Sequence, residues 1–356
     1  MMQDKIYQKV TEYIKQAIAN GTMKLGDAIY SENQLCEMLN VSRTSVRRAI
    51  REMVECNILE SRQGVGTFVK GLNPSKTICL VNHYSRILRY SPIDSYYTSF
   101  IYAAEREAGK ANHRFQIFSG IVKDEADIGG KMSHLNADGV ILDGRFQDYF
   151  DDVACFLKYY HHLILLDGNP AQTQLPSVAP NLVPGFTEIL NIISPRNGNI
   201  LFLYNSMAAQ RRWALECFRE SVKRQENTCV DFCDYTENIP EDILSGVNHA
   251  YLIADVLDKL FATKNYKAII CDADRSAMHV IEYLKRQNLS IPEDVAVSGV
   301  GNSAYSSMTS PTTTTLRVDT AALAATAVDL LGKQLQGEKI RAKNLLPVQL
   351  LRRGSM

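Results

Sequence analysis

Four arginines, Arg43, Arg47, Arg48 and Arg51, crowd into the stretch NVSRTSVRRAI and the residue after it. At 100° per residue they share one arc of a helix, while Val46, Ala49, Ile50 and Met53 occupy the opposite arc. A guanidinium is a planar fork that donates two hydrogen bonds at once, to guanine O6 and N7 or to a phosphate. Thr44 and Ser45 add short hydroxyls, which suit phosphate oxygens beside the amides of a helix start. The competing reading is a solvated helix face, and the surrounding elements must decide.

Those elements favour a ligand-facing role. Ile6, Val10, Ile14 and Ile18 recur at every fourth position and predict a first helix with one buried stripe. After the loop NGTMKLGDAIY, Ser31 with Gln34 three residues on has the form of a capping box, and Leu35, Met38 and Leu39 supply a second helix with its apolar face. The turn Leu39-Asn40-Val41 leads to Ser42, a cap for the arginine helix. The pair is a helix-turn-helix, whose second helix presents its first residues to base edges. ILESRQGVGTFVK then reads as two short strands around Gln63-Gly64-Val65-Gly66, a wing flanked by Arg62 and Lys70. Residues 1–75 hold ten Lys and Arg against eight Asp and Glu, a difference of only +2, so placement rather than net charge must steer an anionic partner.

Catalytic constellations are missing. No Walker lysine motif or GxSxG occurs, and the histidines lack HExxH spacing. Gly299-Val300-Gly301-Asn302-Ser303-Ala304 fits GxGxxA after VAVS, with Asp319 twenty residues on, yet Pro311 leaves no room for the helix a dinucleotide site requires. Eight cysteines are scattered, several inside apolar runs, which suits reduced core thiols. Only Cys229 and Cys233 are close, and their spacing is no metal motif. Neither a metal nor a cofactor is expected.

The 356 residues exceed one ordinary domain, and 46% hydrophobic with 22% charged residues marks a globular chain. No 18-residue apolar run exists and MMQDKIYQKVTEY is polar, so neither a membrane span nor a signal peptide is expected, and the expected location is cytoplasmic. KGLNPSK, residues 70–76, reads as a hinge. Beyond it, apolar runs such as TICLV, GVIL, HLILL, KAIICD and DVAVSGV alternate with amphipathic helices, the mark of parallel sheets buried on both faces. About 280 such residues predict two α/β lobes.

The run from Ile18 to Val69, with AIANGTMKLGD, YSENQLCEMLNVSRTSVRRAI and GVGTFV, resembles the winged-helix DNA-binding domain of the GntR family. That resemblance implies operator contacts from Arg43, Thr44, Ser45, Arg47, Gln63 and Gly64. Ser31, Glu32, Ser42, Arg48, Arg62 and Gly66 flank them and complete the candidate DNA-contacting set. Tyr30 stands where the family usually has proline, and Asn33 where it is often basic.

IPEDVAVSGVGN, MTSPTTTTLRVDTAALAATAVDLL and KNLLPVQLLRR resemble the end of the LacI-type sensor domain, related to periplasmic sugar-binding proteins. YKAIICDADRSAMHVIEYLK, LNADGVIL, HLILLDGNP and SKTICLVN extend the match over residues 76–356, weakest between 195 and 260. The whole resembles the arabinose-repressor architecture. It implies a multidomain chain: an N-terminal winged helix-turn-helix (α+β) over residues 1–70, a linker at 71–76, and a two-lobed periplasmic-binding-protein-like α/β domain with parallel sheets over 77–356. Lobe 1 is expected at about 77–178 and 304–338, lobe 2 at about 179–303 and 339–356, with three crossings and a ligand cleft at the carboxyl ends of the strands.

Of the sugar-contacting positions this resemblance implies, Asn181, Ala214, Ala273 and Gly301 are altered and Asp274 is kept. Arg211 or Arg212 is a candidate to reach the cleft from a shifted position, and Tyr96, Tyr97, Arg145 and Asn302 sit on strand-end loops. The candidate effector-binding residues are therefore Asp274, Asn181, Tyr96, Tyr97, Arg145 and Asn302. Implied partners are double-stranded operator DNA, a small effector that is a sugar or sugar derivative, and a second copy of the chain, since one winged helix reads one half-site. The expectation is a non-enzymatic, ligand-responsive repressor of carbohydrate genes; a DNA-binding regulator fused to a small-molecule enzyme is the alternative.

Overall fold

The computed structural model describes residues 2–71, 76–83, 95–111, 113–120, 122, 124–132, 134–194, 198–225, 229–237 and 248–356. Contacts divide the chain into two compact units, Met1–Thr77 with Gly109–Arg114, and Ile78–Ala108 with Phe115–Met356. Residues 72–75 of the expected linker lie outside the described residues.

The first unit is built from helices α1 (Met2–Ala19), α2 (Glu32–Leu39) and α3 (Arg43–Glu55) and the hairpin β1 (Leu59–Arg62) and β2 (Gly66–Val69). Val10 and Ile14 of the predicted stripe are fully buried and Ile18 is half-buried; the side chain of Ile6 lies outside the described residues. They meet Leu35, Leu39, Val46, Ala49 and Met53 in one core. Met38, expected on that apolar face, is 50% exposed instead, because Leu35 and Leu39 set the line of contact and Met38 falls at its edge. The capping box of α2 forms, with the Gln34 N–H donating to Ser31 Oγ and Gln34 Oε1 accepting from the Ser31 N–H. Asn40 turns the chain at φ 49°, a left-handed conformation that Asn tolerates.

The second unit holds two six-stranded sheets. Lobe 1 orders its strands β13-β7-β6-β5-β3-β4, from β3 (Thr77–His83), β4 (Arg114–Gly120), β5 (Gly139–Asp143), β6 (Leu163–Leu166), β7 (Ser177–Asn181) and β13 (Lys343–Pro347). Lobe 2 orders β14-β12-β11-β10-β8-β9, from β8 (Asn199–Tyr204), β9 (Val230–Asp234), β10 (Tyr266–Cys271), β11 (Ala296–Gly301), β12 (Thr314–Arg317) and β14 (Gln349–Leu351). Neighbouring lobe 2 strands are parallel except β12 with β14. Helix α4 (Ser95–Lys110) and α5 (Glu125–Met132) belong to lobe 1, while α6 (Val183–Ile193), α7 (Ala209–Lys223), α8 (His249–Phe261), α9 (Asp274–Arg286) and the short α10 (Tyr305–Met308) accompany the lobe 2 strands. Helix α11 (Thr320–Leu335) returns to pack on β5, β6 and β7.

The expected lobe limits need correction at two strands. Thr314–Arg317, expected in lobe 1, pairs with β11 in lobe 2, Ser298 opposite Thr314. Lys343–Pro347, expected in lobe 2, pairs with β7 in lobe 1, Lys343 opposite Ser177. A strand's own residues carry no mark of which sheet it joins; its pairing partners decide that. The chain thus crosses between lobes after β7, after β12 and at Val348.

Candidate functional site

On the first unit, α3 buries Val46, Ala49 and Met53 and leaves Arg43, Arg47, Arg48 and Arg51 exposed. Ser42 caps it, its Oγ accepting from the Ser45 N–H at 3.3 Å. Two guanidiniums are aimed from α2: Arg47 Nε donates to both Glu32 oxygens at 3.1 and 2.9 Å, and Arg43 donates to Asn33 Oδ1. At 63% and 38% exposure the Arg47–Glu32 pair adds little stability, so its effect is to orient the fork. The wing turns at Arg62-Gln63-Gly64-Val65, where the Val65 N–H donates to the Arg62 carbonyl at 3.0 Å. Gly64 at φ +73° supplies the left-handed residue that this turn needs. Arg62 is held by Glu60 at 3.1 Å and by the face of Phe68, 4.5 Å from its ring centre. Val65 is left at the tip, 72% exposed.

The second unit contains a cavity of about 1550 Å³ at the carboxyl ends of both sheets. The turn after β5 brings Arg145, Gln147 and Asp148, and the end of β6 leads to Asp167. Lobe 2 contributes Asn205 after β8, Gln210, Arg211 and Arg212 on α7, Tyr235 after β9, and Asp272, Asp274 and His279 from β10 and α9. Gly144 permits this layout, since a Cβ there would lie 2.3 Å from Gly168 Cα on the next strand-end loop. Gln147 then locks that loop, its amide bonding the Asn169 carbonyl at 2.9 Å and the Asn169 N–H at 2.6 Å.

Asp148, Asp272 and Asp274 are buried and engaged. Asp148, its side chain 2% exposed, accepts from the Ala209 N–H at 2.6 Å and sits 2.8 Å from Arg145 and 3.6 Å from Arg212. Burial pushes its pKa up, and the Arg145 charge opposes that. Asp272 accepts from the Asn205 N–H and Ser276 Oγ, both at 2.9 Å; burial raises its pKa against the pull of Arg211. Asp274 accepts from Thr315 Oγ1 at 2.5 Å and from the N–H and Oγ of Ser303 at 2.6 and 3.1 Å, and burial likewise raises it. Among the described residues no group of His, Cys, Asp and Glu could hold a metal ion, and no helix is long and apolar enough to cross a membrane.

Two family descriptions match the chain: "Bacterial regulatory proteins, gntR family" over residues 6–69, and "Periplasmic binding protein-like domain" over 198–356. Residues 6–69 thus match a GntR-type regulatory domain and residues 198–356 a periplasmic-binding-protein-like domain. The mannosyl-D-glycerate transport/metabolism system repressor of Escherichia coli is 46% identical over 65 residues, 18% of this chain and 27% of that protein. The matches to the first curated relatives thus span about a quarter to a third of those proteins' lengths. The NTD biosynthesis operon regulator of Bacillus subtilis is 20% identical over 91% of this chain and 98% of its own. Among solved structures, a transcriptional regulator CelR–cellobiose complex superposes at a TM-score of 0.61 with 18% identity, covering 89% of this chain and 92% of the other.

In the GntR-type domain, the expected set falls on three neighbouring segments. Ser31 and Glu32 start α2; Ser42, Arg43, Thr44, Ser45, Arg47 and Arg48 lie at the start of α3; Arg62, Gln63, Gly64 and Gly66 form the wing tip. Within this set, the Glu32 carboxylate accepts from Arg47 Nε at 2.9 Å.

In the binding-protein-like domain, Arg145 and Asp274 line the cavity, and Asp274 holds the 301–303 turn rather than an open position. Asn181 does not line it: it is the last residue of β7, opposite Pro347 of β13. Asn302 also turns away, at φ 53°, its Oδ1 accepting from Arg353 Nη2 at 2.6 Å beside a separate small hollow lined by Ser99 and Arg317. The side chains of Tyr96 and Tyr97 lie outside the described residues. Sequence reasoning missed Asp148, Asp167, Asp272 and His279. CDAD signalled Asp272, since alternate residues leaving a strand share a face; Asp148 had no such signal.

Proposed function

We propose that this protein is a sequence-specific DNA-binding transcription regulator, a repressor of carbohydrate-utilisation genes, that binds operator DNA as a homodimer and takes a small effector in the cleft of its second unit. The observation that carries this reading is the division of α3, with Val46, Ala49 and Met53 buried and Arg43, Arg47, Arg48 and Arg51 outward behind the Ser42 cap. Such a helix sets its first turn into a major groove, and the wing beside it reaches adjacent backbone. The naming of a relative as a sugar-system repressor supports the target genes, and the CelR complex with cellobiose supports a cleft ligand. The chain acts in the cytoplasm and binds its effector without converting it.

Effector action requires different affinities in two states, so ligand and DNA must change each other's binding by the same factor. A gel-shift titration on the promoter of the chain's own operon, with and without candidate sugars, tests the reading. Loss of operator preference in neither Arg43→Ala nor Arg47→Ala would sink the recognition-helix assignment, and turnover of the bound ligand would sink the non-enzymatic one.

A further inference from the structure

Arg43 and Arg47 stand one helical turn apart on the outward face of α3. Each meets one of two consecutive residues at the start of α2. Arg47 Nε donates to both Glu32 oxygens, and Arg43 Nη2 donates to Asn33 Oδ1. The arrangement is shared but the chemistry differs. Glu32 sets a negative charge against its arginine, whereas the Asn33 amide is neutral and leaves the Arg43 charge whole.

The place of Asn33 is fixed from below. Ser31 caps α2, and its capping box with Gln34 holds the first turn, so Asn33 falls at the second helical position. Leu35 and Leu39 of α2 pack with Val46 and Ala49 of α3 in one buried core, which sets the spacing between Asn33 and Arg43. Reading a guanine requires a guanidinium whose plane and edge are set, since two parallel N–H groups must meet O6 and N7 together. An unrestrained arginine gives up rotamer freedom to reach that geometry, and a partner that restrains it beforehand lowers the loss on binding. An uncharged acceptor does this without repelling phosphates.

We propose, resting on the reading that α3 enters operator DNA, that Asn33 positions Arg43 to read a guanine. Sequence preference then depends on an amide that acts through the guanidinium and not through a DNA contact of its own.

Fluorescence anisotropy of the full chain should compare a duplex selected by wild type from a random-sequence pool with a scrambled duplex of the same length, at one salt concentration. The ratio of the two affinities is the readout, since the sequence-independent phosphate attraction largely cancels in it. Arg43→Ala should lower the ratio about tenfold or more, the loss of a bidentate base contact. Asn33→Ala should lower it about threefold to tenfold, and the double variant no further than Arg43→Ala alone. Asn33→Asp keeps the acceptor oxygen and adds a negative charge, so it should weaken binding to both duplexes and hold the ratio near that of wild type. Guanines of the selected duplex can be replaced one at a time by 7-deazaguanine, which lacks N7. One position should penalise wild type, spare Arg43→Ala and give Asn33→Ala an intermediate loss. Asn33 is exposed, and the Tm of each variant reports whether folding is intact. A wild-type ratio in Asn33→Ala, equal losses in Asn33→Ala and Asn33→Asp, or additive losses in the double variant would overturn the proposal. An unchanged ratio in Arg43→Ala would instead defeat the recognition-helix reading itself.

Discussion

Asp148 of lobe 1 accepts a hydrogen bond from the backbone N–H of Ala209, the first residue of α7 in lobe 2, across 2.6 Å. A carboxylate at a helix N-terminus is favoured by the dipole, and this helix start has no side-chain cap of its own. The same helix is tied to lobe 1 by Gln210 to Asp167, Arg212 to the Gln147 carbonyl, and Trp213 Nε1 to the Pro180 carbonyl at 2.8 Å. Asp148→Ala should therefore favour separation of the lobes and cost about 1–3 kcal/mol, below the value for a fully buried pair because Arg145 and Arg212 keep 18% and 25% exposure. Spin labels on the two lobes should report a longer interlobe distance, and an unchanged distance with unchanged stability would refute the latch.

Glu32→Gln should raise affinity for random duplex while narrowing the margin for operator. The carboxylate repels phosphates and aims Arg47, to which it bonds at 2.9 Å. Binding to both duplexes across a salt series separates the effects; Arg47→Ala should lower affinity for both and reduce the salt slope by about one.

Gly299→Ala should disturb the cleft floor, because the added Cβ would lie 2.5 Å from Asp274 Oδ1 and 2.9 Å from its Cα. Overpacking of this kind costs about 1–3 kcal/mol in urea unfolding. Gly130→Ala, on α5 with open space at the Cβ position, should be neutral or stabilising by up to about 1 kcal/mol.

Thiol chemistry should follow burial. Cys56 and Cys229 are exposed, whereas desolvation pushes Cys79 up to about 11 and Cys217 up to about 12, and raises Cys271 well above its ordinary value. A raised thiol pKa keeps the unreactive protonated form at pH 8, so a disulfide reagent should modify Cys56 and Cys229 rapidly and the three buried thiols only on unfolding. The sign for stability follows: these thiols bind their protons more tightly when folded, so their contribution is present below about 8.5, the unfolded value. It declines as pH climbs from there through about 11 and 12. Rapid modification of Cys217 in the native protein would contradict the packing described.

Local chemistry was legible in the sequence. The capping box at Ser31, the Ser42 cap, the Asn40 turn and the glycine wing depend on neighbours a few residues apart, so residue type and spacing determine them. The parallel, twice-buried strands were likewise written in continuous apolar runs such as GVIL and LILL, every residue of which is buried. Tertiary structure alone decided which sheet received Thr314–Arg317 and Lys343–Pro347, because their partners lie elsewhere in the chain. It also decided the cleft. Asp274 looked open and is spent on Ser303 and Thr315, Asn302 turns to Arg353, and Asp148 gains its meaning only from Ala209, 61 residues away. A side chain's type states what it can bond; whether that capacity remains for a ligand depends on which distant groups the fold has placed against it.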